Sequence, residues 1–239
     1  MNHRFDFYKY NILKFLERDA KILIVGAGKN DFELFKKNMF TNFTCSNFTG
    51  KGFNNIDFKK IDLNKIDELD ESYDYVVAHA CIHHCSRPHN AIIEMYRVGK
   101  KGILVIESKD SFLMKLMTKF KLAEEYELSA ISDSDSFGDQ GGVDNSNIPN
   151  YVYRWTEQEV KKLINSYDPR YNYLIHFEYE FEYSNILNKF KSRIIKNILK
   201  FFIPILIFIL KKIIKKQSNL FAFFINKEKS KQMKHDWIK

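Results

Sequence analysis

Lys21-Ile22-Leu23-Ile24-Val25-Gly26-Ala27-Gly28-Lys29-Asn30-Asp31 passes from an unbroken apolar run into two closely spaced glycines and then into a polar segment suited to a helix. A short apolar run ending at a glycine reads as a buried strand, and the glycines let the backbone turn sharply and approach a ligand without a Cβ in the way. A helical stretch is expected from near Asp31. Strand, tight turn and helix in that order is the repeating unit of a parallel α/β sheet.

Working outward, the same alternation recurs. Apolar runs at Phe43–Phe48, Phe58–Ile61, Tyr73–Ala78 and Gly102–Glu107 predict strands, and Pro88–Val98 predicts one of the helices between them. Upstream, Phe5, Tyr8, Ile12, Phe15 and Leu16 fall near helical spacing, so an amphipathic helix leads into the core. Such a sheet is covered on both faces by right-handed crossovers and binds ligands at the carboxyl ends of its strands.

Beyond Glu107 the pattern loosens. Phe112–Ala130 reads as one or two helices. Ser132–Asn150 is a polar run containing Gly138, Gly141, Gly142 and Pro149, long enough to predict a functional loop, and a lid is expected over about 132–155. Thr156 has the chemistry of a helix N-cap, with Glu157 and Glu159 in the first turn. Tyr171–Tyr183 and Leu220–Ile225 predict two aromatic-rich strands, the last one antiparallel. Between them Phe201–Leu210 is ten residues, apolar but for Pro204, bracketed by Lys196, Lys200, Lys211, Lys212, Lys215 and Lys216. At about 1.5 Å per residue this run reaches only half of a bilayer core. It is expected not to cross a membrane, and to pack as an insertion on the domain or a partner subunit, or to lie at an anionic lipid surface through 194–216.

The 239 residues suffice for one α/β core with additions, not for two full domains, and 45% hydrophobic content is that of a globular protein. Net charge is +8, but its distribution is uneven: Asn185 to Lys239 holds 14 of the 38 Lys and Arg and two of the 30 acids, net +12, which leaves 1–184 at −4. The front of the molecule therefore suits a small-molecule enzyme and not a nucleic-acid groove. Met1–Ala20 lacks the apolar core and cleavage site of a signal peptide. Three cysteines, Cys45, Cys81 and Cys85, argue against a disulfide framework, so a reducing cytoplasm is expected, with a peripheral position at the inner face of the membrane as the variant of that reading.

The string Ser72-Tyr-Asp-Tyr-Val-Val-Ala-His79-Ala-Cys-Ile-His-His84-Cys-Ser-Arg-Pro88, with Glu94-Met-Tyr-Arg97-Val-Gly-Lys-Lys-Gly102-Ile-Leu-Val-Ile-Glu107, carries more information than the glycine turn. It closely resembles the fourth-to-fifth-strand region of class I S-adenosylmethionine-dependent methyltransferases of the type 11 kind: an aspartate entering an apolar strand, a His-His pair, a proline, Glu-x-x-Arg-Val, and a Lys-Gly turn into strand five. With the glycine turn the resemblance spans about Lys21 to Ser111. It implies a Rossmann-like, seven-stranded, mostly parallel sheet with the last strand antiparallel, and S-adenosylmethionine as cofactor.

The resemblance also implies roles. Gly26, Ala27 and Gly28 would wrap the methionine part of the cofactor, Asn47 would lie near the ribose, Asp62 and Leu63 beside the adenine, and His79 near the methyl group. The sequence departs from the family in having Ile24 and Asn47 where acids are usual; an amide still bonds a hydroxyl. An alcohol acceptor benefits from a base, and imidazole titrates near neutrality. His79, His83, His84 and His89 are the candidates, His79 first and His84 next. Cys81, His83, His84 and Cys85 also have zinc-donor chemistry, but no second Cys pair completes a site and the family string accounts for the histidines, so no metal is expected.

Asn150-Tyr151-Val-Tyr153-Arg154-Trp155 follows the polar loop and offers flat faces, an amide and a forked cation to an acceptor, or else packs on the sheet. It looks like a segment of a methyltransferase subgroup associated with bacterial surface-polysaccharide synthesis, which implies O-methylation of a sugar, a sugar nucleotide or a phosphate- or phosphoramidate-bearing precursor of a capsule-like glycan. The expected organisation is one domain: a cofactor core over 1–111, lid and substrate-side helices over 112–170, and C-terminal strands over 171–239 with a helical insertion at 185–217. Two alternatives stay open. A nicotinamide oxidoreductase is disfavoured by Asp31 in place of a third glycine. A non-catalytic scaffold is favoured by the missing acids.

Overall fold

The computed structural model describes residues 3–54, 56–132, 141–182 and 192–228. Seven strands form one sheet in the order β3-β2-β1-β4-β5-β7-β6. They are β1 Ile22–Val25, β2 Phe43–Asn47, β3 Lys59–Lys60, β4 Tyr73–His79, β5 Gly99–Ser108, β6 Leu174–Glu180 and β7 Leu220–Asn226. The first five run parallel, whereas β7 is antiparallel to both β5 and β6.

β1 lies inside the sheet, between β2 and β4, and all four of its side chains are apolar and buried. Alternation sends Leu23 and Val25 to one face and Ile22 and Ile24 to the other. The first face packs with Val76, Ile103, Val105, Phe223 and Ile225 under α3 (Pro88–Val98) and α6 (Glu157–Tyr167). The second packs with Val77, Leu104, Ile106 and Phe224 under α1 (His3–Phe15) and α2 (Lys29–Lys37). From β1 the chain crosses to β2 on one side and later to β4 on the other. That reversal opens a crevice at the carboxyl ends of β1 and β4, where open α/β sheets bind ligands.

Several expected boundaries move. The strand read at Phe58–Ile61 shrinks to two exposed lysines at the sheet's edge, while Phe58 and Ile61 turn into the core. β6 begins at Leu174 because Asp168 and Arg170 hold the preceding turn, and Tyr183 lies outside the described residues. Phe112–Ala130 is interrupted: α4 (Phe112–Lys119) ends at Phe120 beside Lys121 in the left-handed region, and α5 spans Leu128–Ser132. The expected insertion contains α7, Arg193–Ile213, whose 21 residues run past both ends of the apolar stretch Phe201–Leu210. Lysine is a good helix former, so the flanking lysines extend the helix. No helix among the described residues is long and apolar enough to cross a membrane. Of the expected lid, 133–140 lies outside the described residues.

Thr156 caps α6 as its sequence predicts. Its hydroxyl accepts from the Glu159 amide at 3.1 Å, and the Glu159 carboxylate reaches back to the Thr156 amide, closing a capping box.

Candidate active site

A cavity of about 540 Å³ sits in the β1/β4 crevice. Gly26, at φ +59°, makes the turn after β1; a Cβ there would lie 2.4 Å from that of Cys81, so only glycine fits. Gly26, Ala27, Gly28, Asn47, Asp62, Leu63, His79 and His84 all line this cavity. A larger cavity, about 970 Å³, opens at the start of β4 and β5, where Arg97 and Arg170 are already paired with Asp70 and Asp168.

At the glycine turn, the Gly28 amide donates to Asp31 Oδ2 at 2.8 Å, holding the start of α2. The other oxygen of Asp31 lies 3.5 Å from His79 Nδ1, and the residue lines the cavity. Asp31 entered the sequence reading as the start of a helix and as a missing glycine, yet it also brings a carboxylate to the site. Ile24, where the family has an acid, is fully buried under α1 and α2. Asn47 is folded back on its own loop: its oxygen accepts from the Gly50 amide at 2.7 Å and its nitrogen donates to the Lys51 carbonyl at 2.8 Å.

His79, at the end of β4, is stacked on Tyr8 with ring centroids 4.3 Å apart and meets the edge of Phe5. Its Nε2 is buried with no partner among the described residues. The N-terminal helix thus walls the site, a contribution that helical spacing alone could not reveal.

His83 and His84 leave the turn after β4 side by side, with ring centroids 4.5 Å apart, but in different surroundings. His83 is buried, with Nδ1 2.7 Å from Glu107 Oε2 and Nε2 3.3 Å from Glu127 Oε2. Burial pulls its pKa down, but Glu107 and then Glu127 outweigh that and lift it to about 9. Hydrogen bonding to His83 in turn holds Glu127 down at about 2, and His83 also keeps the fully buried Glu107 carboxyl below its usual range against desolvation. His84 is partly exposed to the cavity, and burial, then the neighbouring His83, lower its pKa, so it is neutral at physiological pH. Burial raises all three thiols, Cys81 well above its ordinary value and Cys45 and Cys85 to about 12, so none is an activated nucleophile.

Glu127 was invisible in the sequence. It is positioned by a short antiparallel pairing of Tyr126 with Tyr151, in which the Glu127 amide donates to the Asn150 carbonyl at 3.0 Å. The buried Asn150 amide also reaches Glu127 Oε2 at 3.3 Å. Arg154 Nη2 clamps the Glu124 carbonyl at 2.5 Å. None of Asn150, Tyr151, Tyr153, Arg154 and Trp155 lines the cavity. Trp155 is fully buried and bridges Lys109 beyond β5, Tyr153 bonds Glu159, and Tyr151 is half exposed. The loop does reach the cavity further upstream, through Gly141, Gly142, Asp144 and Asn145. Asp144 Oδ1 accepts from Asn64 Nδ2 at 2.8 Å and from the Ser86 amide at 2.9 Å, while Asn64 bonds Asp62.

Residues 36–106 match the family model described as a methyltransferase domain. The whole-chain architecture is similar to the crystal structure of a SAM-dependent methyltransferase from Archaeoglobus fulgidus, at 14% identity and TM-score 0.54, covering 93% of this chain and 94% of that one. The fold is that of a class I methyltransferase. It is also similar to the PH0226 protein from Pyrococcus horikoshii OT3, at 12% identity and TM-score 0.52, covering 93% and 89% of the two chains. No curated protein matches this chain. The seven strands, mostly parallel, and the antiparallel last strand β7 are as the sequence predicts.

Proposed function

We propose that the protein transfers a methyl group from S-adenosylmethionine to an oxygen of a small polar acceptor: a sugar, a sugar nucleotide, or a phosphate- or phosphoramidate-bearing precursor of a surface glycan. The observation that best supports this is the cavity at the β1/β4 crevice, with the Gly26–Gly28 turn on its wall. On this reading Gly26, Ala27 and Gly28 take the methionine part, Asn47 the ribose, Asp62 and Leu63 the adenine, and His79 borders the methyl group. All 239 residues act as one domain.

Methyl transfer needs chiefly an in-line approach of the acceptor to the sulfur–methyl bond, with a base for the leaving proton. His84 is the base candidate this geometry favours: it is neutral and faces the cavity. His79 is packed between Tyr8 and Phe5 and acts through position. Of the five residues Asn150, Tyr151, Tyr153, Arg154 and Trp155 expected on the acceptor side, Asn150, Tyr151 and Arg154 serve it by holding the 124–127 segment that carries Glu127. Tyr153 and Trp155 serve it by fixing the stretch that pairs with this segment to the core.

The acceptor reading extends to α7. Ile198, Phe201, Phe202, Phe208, Ile209 and Ile213 are exposed at spacings that place them on one side of the helix, and Lys200, Lys211, Lys212, Lys215 and Lys216 flank them. Such a helix lies in the plane of an anionic bilayer, where a lipid-linked acceptor would be presented. Sedimentation with phosphatidylserine vesicles at low salt, against phosphatidylcholine vesicles, tests that; equal binding to neither overturns it.

The cofactor is tested first, by calorimetric titration with S-adenosylhomocysteine. One saturable site is expected. No heat at millimolar ligand leaves the non-catalytic scaffold, and binding of NADH instead leaves the oxidoreductase.

A further inference from the structure

Two imidazole nitrogens converge beside the cavity on one carboxylate oxygen. Glu127 Oε2 lies 3.3 Å from His83 Nε2 and 3.6 Å from His84 Nε2, and the donor atoms of all three residues fall within 4.8 Å of one another. We propose that His83, His84 and Glu127 form a binding site for a divalent transition cation of the zinc class, with its remaining coordination positions open to the cavity.

At 3.3 Å the His83 contact is a long hydrogen bond and at 3.6 Å the His84 contact is none, against N···O distances that centre near 2.9 Å. Both separations suit metal ligands: with metal–nitrogen and metal–oxygen bonds of about 2.0–2.1 Å in a tetrahedron, donor atoms stand about 3.3–3.4 Å apart. Two imidazoles and a carboxylate are also a donor set that such cations prefer.

The surroundings point the same way. Glu107, fully buried, accepts from His83 Nδ1 at 2.7 Å, and its other oxygen is held by the Ile82 amide at 2.8 Å. A carboxylate on Nδ1 fixes the tautomer that presents the Nε2 lone pair, the arrangement usual behind metal-bound histidine. That lone pair then faces a carboxylate oxygen, and two acceptors in contact need a positive charge between them. A proton on Nε2 or a divalent cation satisfies the requirement, and the cation also engages His84. Neither Cys81 nor Cys85 joins the group; Cys81 Sγ is turned to the Val25 carbonyl. This ligand set therefore differs from the cysteine-containing one that the sequence offered and did not favour.

Because His84 lines the cavity, the open positions face an acceptor oxygen. That use rests on the proposed methyl transfer and takes the place of His84 as base, because a metal-bound Nε2 has no lone pair left to accept a proton; the site itself does not rest on it. Binding displaces one proton from His83 if that ring was charged.

The test uses full-length protein purified without chelator and with any affinity tag removed. Elemental analysis is expected to find zinc near one equivalent, and Co²⁺ added to metal-stripped protein is expected to produce visible ligand-field absorption that saturates at one equivalent. Glu127→Gln, which keeps shape, and His84→Ala, at a partly exposed position, should each weaken Co²⁺ binding at least tenfold. S-adenosylhomocysteine titration of the same variants reports separately on the cofactor site. Absence of bound zinc together with no cobalt spectrum overturns the proposal and leaves a proton between the two groups. Unchanged cobalt affinity in both variants overturns it too.

Discussion

Glu107 reaches across from β5 to His83, its Oε2 2.7 Å from Nδ1, with no solvent exposure at the carboxylate. A buried charge pair of this kind ties the turn after β4 to the neighbouring strand. Glu107→Gln keeps the shape but removes the charge facing His83, and losing one partner of a buried pair costs about 3 kcal/mol. Urea unfolding should show that loss. A change below about 1 kcal/mol would mean that the amide satisfies both neighbours and the charge is unimportant.

Gly26→Ala should destabilise the fold and weaken S-adenosylhomocysteine binding together. The left-handed backbone alone costs about 1–2 kcal/mol for an L side chain. In addition, the new Cβ would press on Cys81 across the cavity wall. Thermal unfolding and calorimetry check the two effects, and unaltered affinity would separate this turn from the cofactor.

Trp155 and Tyr151, four residues apart, should behave oppositely. Trp155 is fully buried between Tyr153, His89 and Phe223, so Trp155→Ala should cost about 3–5 kcal/mol of stability, as large aromatic truncations in cores do. Tyr151 is 49% exposed, and Tyr151→Ala should barely move the melting temperature. Once an acceptor is in hand, a raised KM in Tyr151→Ala would give it an acceptor role, and an unchanged KM would reduce it to pairing with Tyr126.

Stability should fall in acid through Asp168. Burial would raise its carboxyl, but Arg170, donating at 2.7 and 2.9 Å, brings it down to about 2. Its unfolded value is about 3.9. A depressed folded pKa means the stabilisation is complete well above pH 4 and disappears as pH drops towards 2. Asp168→Asn should therefore flatten part of the acid limb of a pH–stability curve while leaving the limb above pH 7 alone; parallel curves would remove Asp168 from the acid transition.

Much of the fold was legible because its signals are short-range. The apolar run Ile22–Val25, the turn at Gly26, the helical spacing of α1 and the Thr156–Glu159 capping box each depend on residues a few positions apart, which fix backbone conformation locally. The resemblance around His79–Pro88 added the number of strands and the antiparallel last one. Boundaries were legible less well: the ends of β3 and β6 depend on which side chains find cover from distant segments.

The candidate site divides along the same line. By itself, the sequence determined the alternating elements, the glycine turn, the histidine pair and the concentration of positive charge after Asn185. It left Glu107 as the end of a strand, and Glu127 unremarked. Only the tertiary structure decided that Glu107 and Glu127, 24 and 44 residues from His83, meet it on opposite nitrogens, that Asp144 reaches Asn64 across 80 residues, and that Trp155 is core. The reason is physical. Local periodicity specifies which face of an element is apolar, whereas the meeting of polar groups from four segments requires the sheet to assemble and exclude water, so that each buried charge is held to the partner the fold brings to it.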